Sequence, residues 1–249
     1  MRKKQPFRKR KRNILRKYFL FAIILIIVYL FITKTDYFNV KSIEVTGNKK
    51  LSSNEIIRAS LCNKGENILK VNTRKGEESI KRLSYIKDCQ IRRKFPNKIV
   101  IQVEERKEVA LIPSLNSIAL IDKEGQVLAI ERDSNNLQLP KIIGLGEIEI
   151  EVGDNVFNKV KIENIEQFID IANQLDLLSK MEYINFSDTK NITFRINEGT
   201  NVAFGYLDNV KYKLDFLIKI FEDLDKKGIK AKQIFFNKGE NPVIVTDNR

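Results

Sequence analysis

The chain has no histidine and no tryptophan, and only two cysteines, Cys62 and Cys89. Without histidine there is no His-based catalytic triad and no His-containing metal site, and two thiols are too few for a Cys-rich zinc cluster. They allow one disulfide, which an extracytoplasmic location would permit, or a pair of small buried thiols. Cys89 lies in the pattern Ile86-x-x-Cys89-x-Ile91, a strand position that any small apolar residue could fill. Acidic residues are missing from the first seventeen positions, which hold ten Lys or Arg. Glycine, proline and charge are all missing from Tyr18 to Ile32, YFLFAIILIIVYLFI.

That last absence speaks against a buried core helix, which would need a polar face or a breaker somewhere in the run. With Ile14, Leu15 and Thr33 the run reaches about the 30 Å of a bilayer core. Arg16 and Lys17 at one end and Lys34 at the other can snorkel, and Tyr18, Tyr37 and Phe38 suit the interfaces. A cleaved signal peptide is the competing reading. The run is long for that, and Thr33-Lys34-Thr35-Asp36-Tyr37 lacks a small-x-small cleavage pattern, so an uncleaved signal anchor from Tyr18 to Ile32 is expected. The basic block, with Arg8, Lys9, Arg10, Lys11, Arg12, Arg16 and Lys17, sets the N-terminus in the cytoplasm. Removing its ten charges from the chain's +13 leaves +3 for residues 18–249, so the high pI belongs mostly to this arm. Anionic lipid and topology account for it, and with no aromatics interleaved beyond Phe7 no nucleic-acid partner is expected.

Residues 40–106 read as one compact unit. Val40, Ile43 and Val45 lead to a turn at Gly47-Asn48, a first strand. Ser52 and Glu55 have capping-box spacing ahead of Ile56 and Ile57, and Asn67–Val71 reads as an extended link. Thr73 opens a second helix. Strands at 86–95 and 98–105 are joined at Phe95-Pro96-Asn97, and Ile99, Ile101 and Val103 alternate toward one face. The order is β-α-α-β-β. In this arrangement Tyr37-Phe38-x-Val40-x-x-Ile43-x-Val45-x-Gly47-Asn48, residues 86–93, Phe95-Pro96-Asn97 and Val103-x-Glu105-Arg106 resemble the POTRA domain of the FtsQ/DivIB division proteins. That family shares the whole layout: basic tail, one span, POTRA domain, second β-rich domain.

The remainder agrees with the resemblance. Ser117–Ile121, a turn at Asp122-Lys123-Glu124-Gly125 and Gln126–Ile130 form a hairpin, and Leu139-Pro140-Lys141-Ile142-Ile143-Gly144 is similar to a family loop. Helices are expected at 160–179 and 209–226, the second closed by Gly228, with strands at 183–187, 192–196, 202–206, 232–237 and 241–246. The expected class is α+β: an N-terminal transmembrane helix, a POTRA domain and a second mixed β-sheet domain with helices. The expected division is 1–17 basic cytoplasmic tail, 18–33 transmembrane helix, 38–106 POTRA domain, 107–246 β domain and 247–249 a short C-terminal tail.

Nothing in the sequence assembles catalytic machinery. Glu104 and Glu105 point to opposite faces of a strand, and Asp223 and Asp225 lie on the polar part of a helix. Residues 238–241 make a turn, not a phosphate loop, and Ser79/Lys81 and Ser179/Lys180 have no diagnostic context. No catalytic residue, cofactor or metal is expected. What remains is binding. Pro242-Val243-Ile244-Val245 reads as an edge strand, because proline is excluded from central ones, and an apolar edge is a template for another chain. The resemblance implies a non-enzymatic scaffold of the divisome, at the division septum of the cell membrane. Its partners would be FtsL and FtsB/DivIC-like bitopic proteins, and through them a septal peptidoglycan synthase complex. It puts the docking site on Ile234, Phe235, Phe236 and Asn237, with Lys211 and Lys213. Gln233-Ile234-Phe235-Phe236 departs from the family's usual Ile-Asp-Leu-Arg at that point. The other readings are a POTRA-bearing adaptor for secretion or envelope assembly and a membrane-anchored envelope enzyme.

Overall fold

The structure, a computed structural model, describes residues 7–114, 117–132, 137–239 and 241–246, with side chains from Arg16 onward. Residues 1–6, the side chains of Arg8 to Arg12 and the tail 247–249 lie outside that description. The charge-free run becomes part of one helix, α1 (Phe7–Lys34). From Arg16 to Lys34 its mean hydropathy is 2.1 and none of it is buried, so one helix among the described residues is long and apolar enough to cross a membrane. Tyr18 and Ile32 both lie within it. The chain has the expected α+β class and divides into two compact units: residues up to Lys81 with Asp88–Glu105, and Arg82–Lys87 with Arg106 onward.

In the first unit, β1 (Ser42–Thr46) runs parallel to β3 (Lys98–Glu105), and β2 (Ile86–Lys94) flanks β3 on its other side. Ile43 sits opposite Ile99 and Val45 opposite Ile101. The alternation in β3 has its expected consequence: Ile99, Ile101 and Val103 are buried, along with Ile56 of α2 (Ser53–Ala59) and Ile80 of α3 (Thr73–Ile80). Ser52 Oγ accepts the Glu55 N–H at 3.2 Å, the capping contact its spacing predicted. α3 begins at Thr73, as expected, and its cap is Asn72, whose Oδ1 accepts the Lys75 N–H at 3.1 Å. Gly47 must be glycine: its φ is +90°, and a Cβ there would lie 2.0 Å from the Val103 carbonyl oxygen. The turn it starts is closed by Glu105, whose carboxylate accepts the backbone N–H groups of Lys49, Lys50 and Leu51 at 2.7–2.9 Å. Cys62 and Cys89 are free and buried, and burial raises both thiols, Cys89 to about 11. Residues 67–71 are not the extended link expected. They turn tightly, with the Lys70 N–H donating to the Asn67 carbonyl at 2.8 Å.

The second unit is built on a nine-stranded mixed sheet. Its strands are β4 (Ala110–Pro113), β5 (Ile118–Ile121), β6 (Val127–Glu131), β7 (Lys141–Ile143), β8 (Met181–Asn185), β9 (Ile192–Ile196), β10 (Asn201–Gly205), β11 (Ala231–Phe235) and β12 (Val243–Thr246). Their spatial order is β12-β11-β10-β9-β8-β7-β4-β5-β6. Two of these strands differ from expectation. β4 falls in an apolar run too short to alternate, and β7 occupies the stretch read as a loop; together they carry the sheet from β5 to β8. The helix expected over 160–179 is shortened to α5 (Ile165–Gln174), and a separate short helix, α4 (Val156–Lys159), precedes it. Left-handed residues at Asn164 (φ 60°) and Asp176 (φ 52°) set the limits of α5, which no proline or glycine announces. The last helix, α6 (Val210–Lys227), ends as predicted, with Gly228 left-handed at φ 65°.

One face of this sheet and the apolar stripes of α5 and α6 share a single core. Phe168 of α5 meets Phe186, Phe194 and Phe204 at ring distances of 5.3–6.2 Å, and all four are fully buried. Val210, Leu214, Leu217, Ile220 and Leu224 supply the α6 side. Strand β9 alternates cleanly, with Ile192, Phe194 and Ile196 inside and Thr193 and Arg195 on the face opposite α5 and α6.

Candidate functional site

The described residues contain no group of three or more His, Cys, Asp or Glu side chains able to hold a metal ion. A charged cluster surrounds the turn at Asp122. Arg106 Nη1 bonds Asp122 Oδ2 at 2.5 Å and Glu124 Oε2 at 2.7 Å, and Lys87 Nζ reaches Glu124 Oε1 at 2.6 Å. Asp122 Oδ1 accepts the backbone N–H groups of Glu124 and Gln126, both at 2.9 Å. Lys87 first, then Arg106, hold the Glu124 carboxyl below its ordinary value. Every carboxylate oxygen here has a protein partner, so the cluster clamps a hairpin turn and offers no free acid or base.

The open chemistry is at the end of the sheet. β12 pairs with β11 and with no other strand among the described residues, leaving the backbone groups on its outer side unpaired by the sheet. Its side chains are apolar on both faces: Val243, Ile244 and Val245 are 43%, 39% and 40% exposed. Such an edge is the kind that native proteins cover, charge or pair. Pro242 stands just before it, where a missing N–H does least harm to the ladder.

The residues singled out from sequence fall in three groups. Ile234 belongs to the core. It is fully buried, and its strand β11 is paired on both sides, parallel to β10 and antiparallel to β12. Lys213 is also committed inward: its Nζ bonds the Tyr206 carbonyl at 3.0 Å and the Asp208 carboxylate, and approaches the Phe204 carbonyl at 3.4 Å, so it braces the turn between β10 and α6. Phe235, Phe236 and Asn237 are half-buried or exposed beside β12, and Lys211 is exposed at the start of α6. Successive strand residues diverge. Phe236 packs on Phe204 and Phe216 at 5.9 and 6.5 Å, on the helix side. Phe235 pairs across with Val243 in the row that continues to Ala203 and Thr193 on the face opposite α5 and α6, with Lys238 Nζ 3.9 Å from its ring centre. Asn237 Nδ2 donates to Asn191 Oδ1 at 2.7 Å.

A groove of about 530 Å³ opens beside this edge, lined by Tyr206, Tyr212, Phe216, Phe236, Asn237 and Pro242 among others. Tyr212, 68% exposed, stacks on Phe216 at 6.0 Å with the rings 10° from parallel. Val243, Ile244 and Val245 were read from the sequence as an apolar edge strand but were not among the expected docking residues. Their signal was Pro242, which marks the edge more directly than the apolar content of 234–236 does.

Comparison with known proteins decides the lineage. Residues 38–106 match the POTRA domain, FtsQ-type, and residues 110–235 match the C-terminal domain of cell division protein FtsQ/DivIB. The chain belongs to the FtsQ/DivIB family. Cell division protein DivIB of Clostridium tetani is 30% identical over 224 residues, spanning 88% of this chain and 78% of that protein. DivIB of Clostridium acetobutylicum is 32% identical over 199 residues, 78% of this chain and 79% of its own. Cell division protein FtsQ of Syntrophotalea carbinolica is 27% identical over 196 residues, 76% and 67% of the two chains. FtsQ/DivIB membership makes a role in cell division the frame for the β12 edge. The family match ends at residue 235, one strand short of that edge.

Proposed function

We propose that this chain is a non-enzymatic, single-pass scaffold of the divisome that docks FtsL and FtsB/DivIC-like bitopic partners and so supports septal peptidoglycan synthesis. The observation that carries the reading is β12: an apolar edge strand with an open backbone, flanked by Phe235 and an aromatic groove. A partner segment added there gains main-chain hydrogen bonds, and its alternate side chains would meet Phe235 on one face and the groove on the other. Phe235, Phe236, Asn237 and Lys211 border that docking strand.

The basic arm puts the N-terminus in the cytoplasm and both folded units outside, at the division septum. Anchoring confines the ectodomain to the membrane surface, which raises its effective concentration for partners anchored in the same plane. The test is to purify the tagged full chain from membranes and identify the bitopic proteins that come with it. FtsL- and FtsB/DivIC-like proteins are expected. Recovery of a secretion or envelope-assembly complex in their place would overturn the reading.

A further inference from the structure

The segment between α2 and α3 meets the outer end of α1. The last four carbonyls of a helix have no partner within it. One of these, on Ile32, accepts a hydrogen bond from Asn67 Nδ2 at 2.8 Å. Asn67 is itself held: it is buried, its Oδ1 accepts the Leu69 N–H at 3.0 Å, and its carbonyl accepts the Lys70 N–H at 2.8 Å. Around it the chain leaving the helix is laced to the same segment, with Ile68 N–H to Phe38 O, Val40 N–H to Glu66 O and Gly65 N–H to Val40 O, each at 2.8 Å. The rings of Phe31, Tyr37 and Phe38 cluster at 5.1–6.1 Å and fill the corner.

These contacts fix a depth. The apolar part of α1, Arg16–Lys34, is 19 residues long. At the helical rise this is about 28 Å, close to the thickness of a bilayer core. Ile32 is two residues from the end, about 3 Å in. A side chain bonded to its carbonyl sits at the boundary between acyl chains and headgroups however the helix tilts. Leu69, two residues beyond Asn67, is within about 7 Å of it. Leu69 is nevertheless 49% exposed and Tyr37 55% exposed. Lys34, Lys64 and Lys70, near them in sequence, are exposed, against Asp36 and Glu66 as the acids of the same segments.

We propose that the turn at residues 67–70 is a second membrane contact. In it Leu69 and Tyr37 enter the headgroup–acyl boundary of the leaflet on the domain's side, and Lys34, Lys64 and Lys70 meet anionic phospholipid. An apolar tip with exposed lysines on its own segments is the pattern that binds such a surface, combining buried area with charge attraction. The inference rests on α1 spanning the membrane. Its consequence is that the POTRA unit is seated on the bilayer and does not swing on a tether.

The absence of tryptophan provides the assay, because any introduced tryptophan is the sole emitter of its kind. Three full-length variants, L69W, F21W and K49W, are placed in vesicles of phosphatidylcholine and phosphatidylglycerol with acyl chains brominated near the headgroup or deeper. Lys49 is exposed beyond the far end of β1, about 17 Å along the strand from the membrane end. The L69W emission should be quenched at least twofold by the shallow bromines, F21W by the deep ones, and K49W by neither. An unquenched L69W beside a quenched F21W overturns the proposal. Equal quenching of K49W and L69W also overturns it, since adsorption would then not be through this turn. An unquenched F21W removes the membrane reading of α1 itself, a different failure. Quenching of L69W unchanged in pure phosphatidylcholine would strike out the lysines' part.

Discussion

Phe235 and Phe236 are neighbours in sequence and opposites in consequence, so their alanine variants separate folding from docking. Phe236 touches Phe204 and Phe216 at the border of the core but is only partly buried. A fully buried phenylalanine costs about 3–5 kcal/mol on truncation, so Phe236→Ala should cost about 2–3 kcal/mol. In a domain of this size that is a melting temperature lower by roughly 4–12 °C. Phe235 lies on the face opposite α5 and α6, where its cation–π contact with Lys238 is worth about 0.5–1 kcal/mol, so Phe235→Ala should move melting little. If Phe235 anchors a partner at β12, its loss should weaken binding by about 2 kcal/mol, some 30-fold in Kd. Thermal melting and titration with an FtsB/DivIC-like protein, run on both variants, read the two effects. Melting lost with Phe235→Ala and kept with Phe236→Ala would refute the face assignment, and unchanged binding by Phe235→Ala would refute its docking role.

Ile101 is fully buried in the three-stranded sheet, and Ile101→Asp would place a carboxylate there without a partner, costing about 4 kcal/mol or forcing its protonation. The first unit should unfold, read as loss of protection of Cys62 and Cys89 against a thiol reagent; buried thiols in the variant would show the wrong face had been chosen. Glu124 has a depressed pKa in the folded chain, from Lys87 and Arg106. A depressed carboxyl contributes stability that is complete above its unfolded value, about 4.3, and is lost as pH falls through the lower folded value. The melting difference between Glu124→Gln and the parent should thus be largest near pH 7 and shrink below about pH 4.3. A difference that grows in acid would contradict the ion-pair geometry.

What could be read from sequence follows physical period and punctuation. The long apolar helix was legible because nothing interrupts Tyr18–Ile32, and β3 and β9 because they alternate over five residues or more. The end of α6 was legible because Gly228 marks it. β4 and β7 were not: four and three residues are too few to display a period, and only the sheet gives them meaning. The limits of α5 were hidden because Asn164 and Asp176 adopt left-handed backbone without being glycine. The candidate site was half legible. Pro242 pointed to the edge, but the resemblance drew attention to Ile234, which tertiary packing buries between two strands. The link from Asn67 to Ile32 joins residues 35 apart and had no local signature at all.

The central claim is that β12 accepts another chain's strand, and amide hydrogen exchange of residues 243–246 tests it most directly. In the free full-length protein in lipid, amides on the outer side of β12 should exchange quickly, because no strand among the described residues pairs with them. With a saturating FtsB/DivIC-like partner, those amides should become protected by at least a hundredfold while β9 is unchanged. Saturated binding that leaves residues 243–246 exchanging as before would contradict the account.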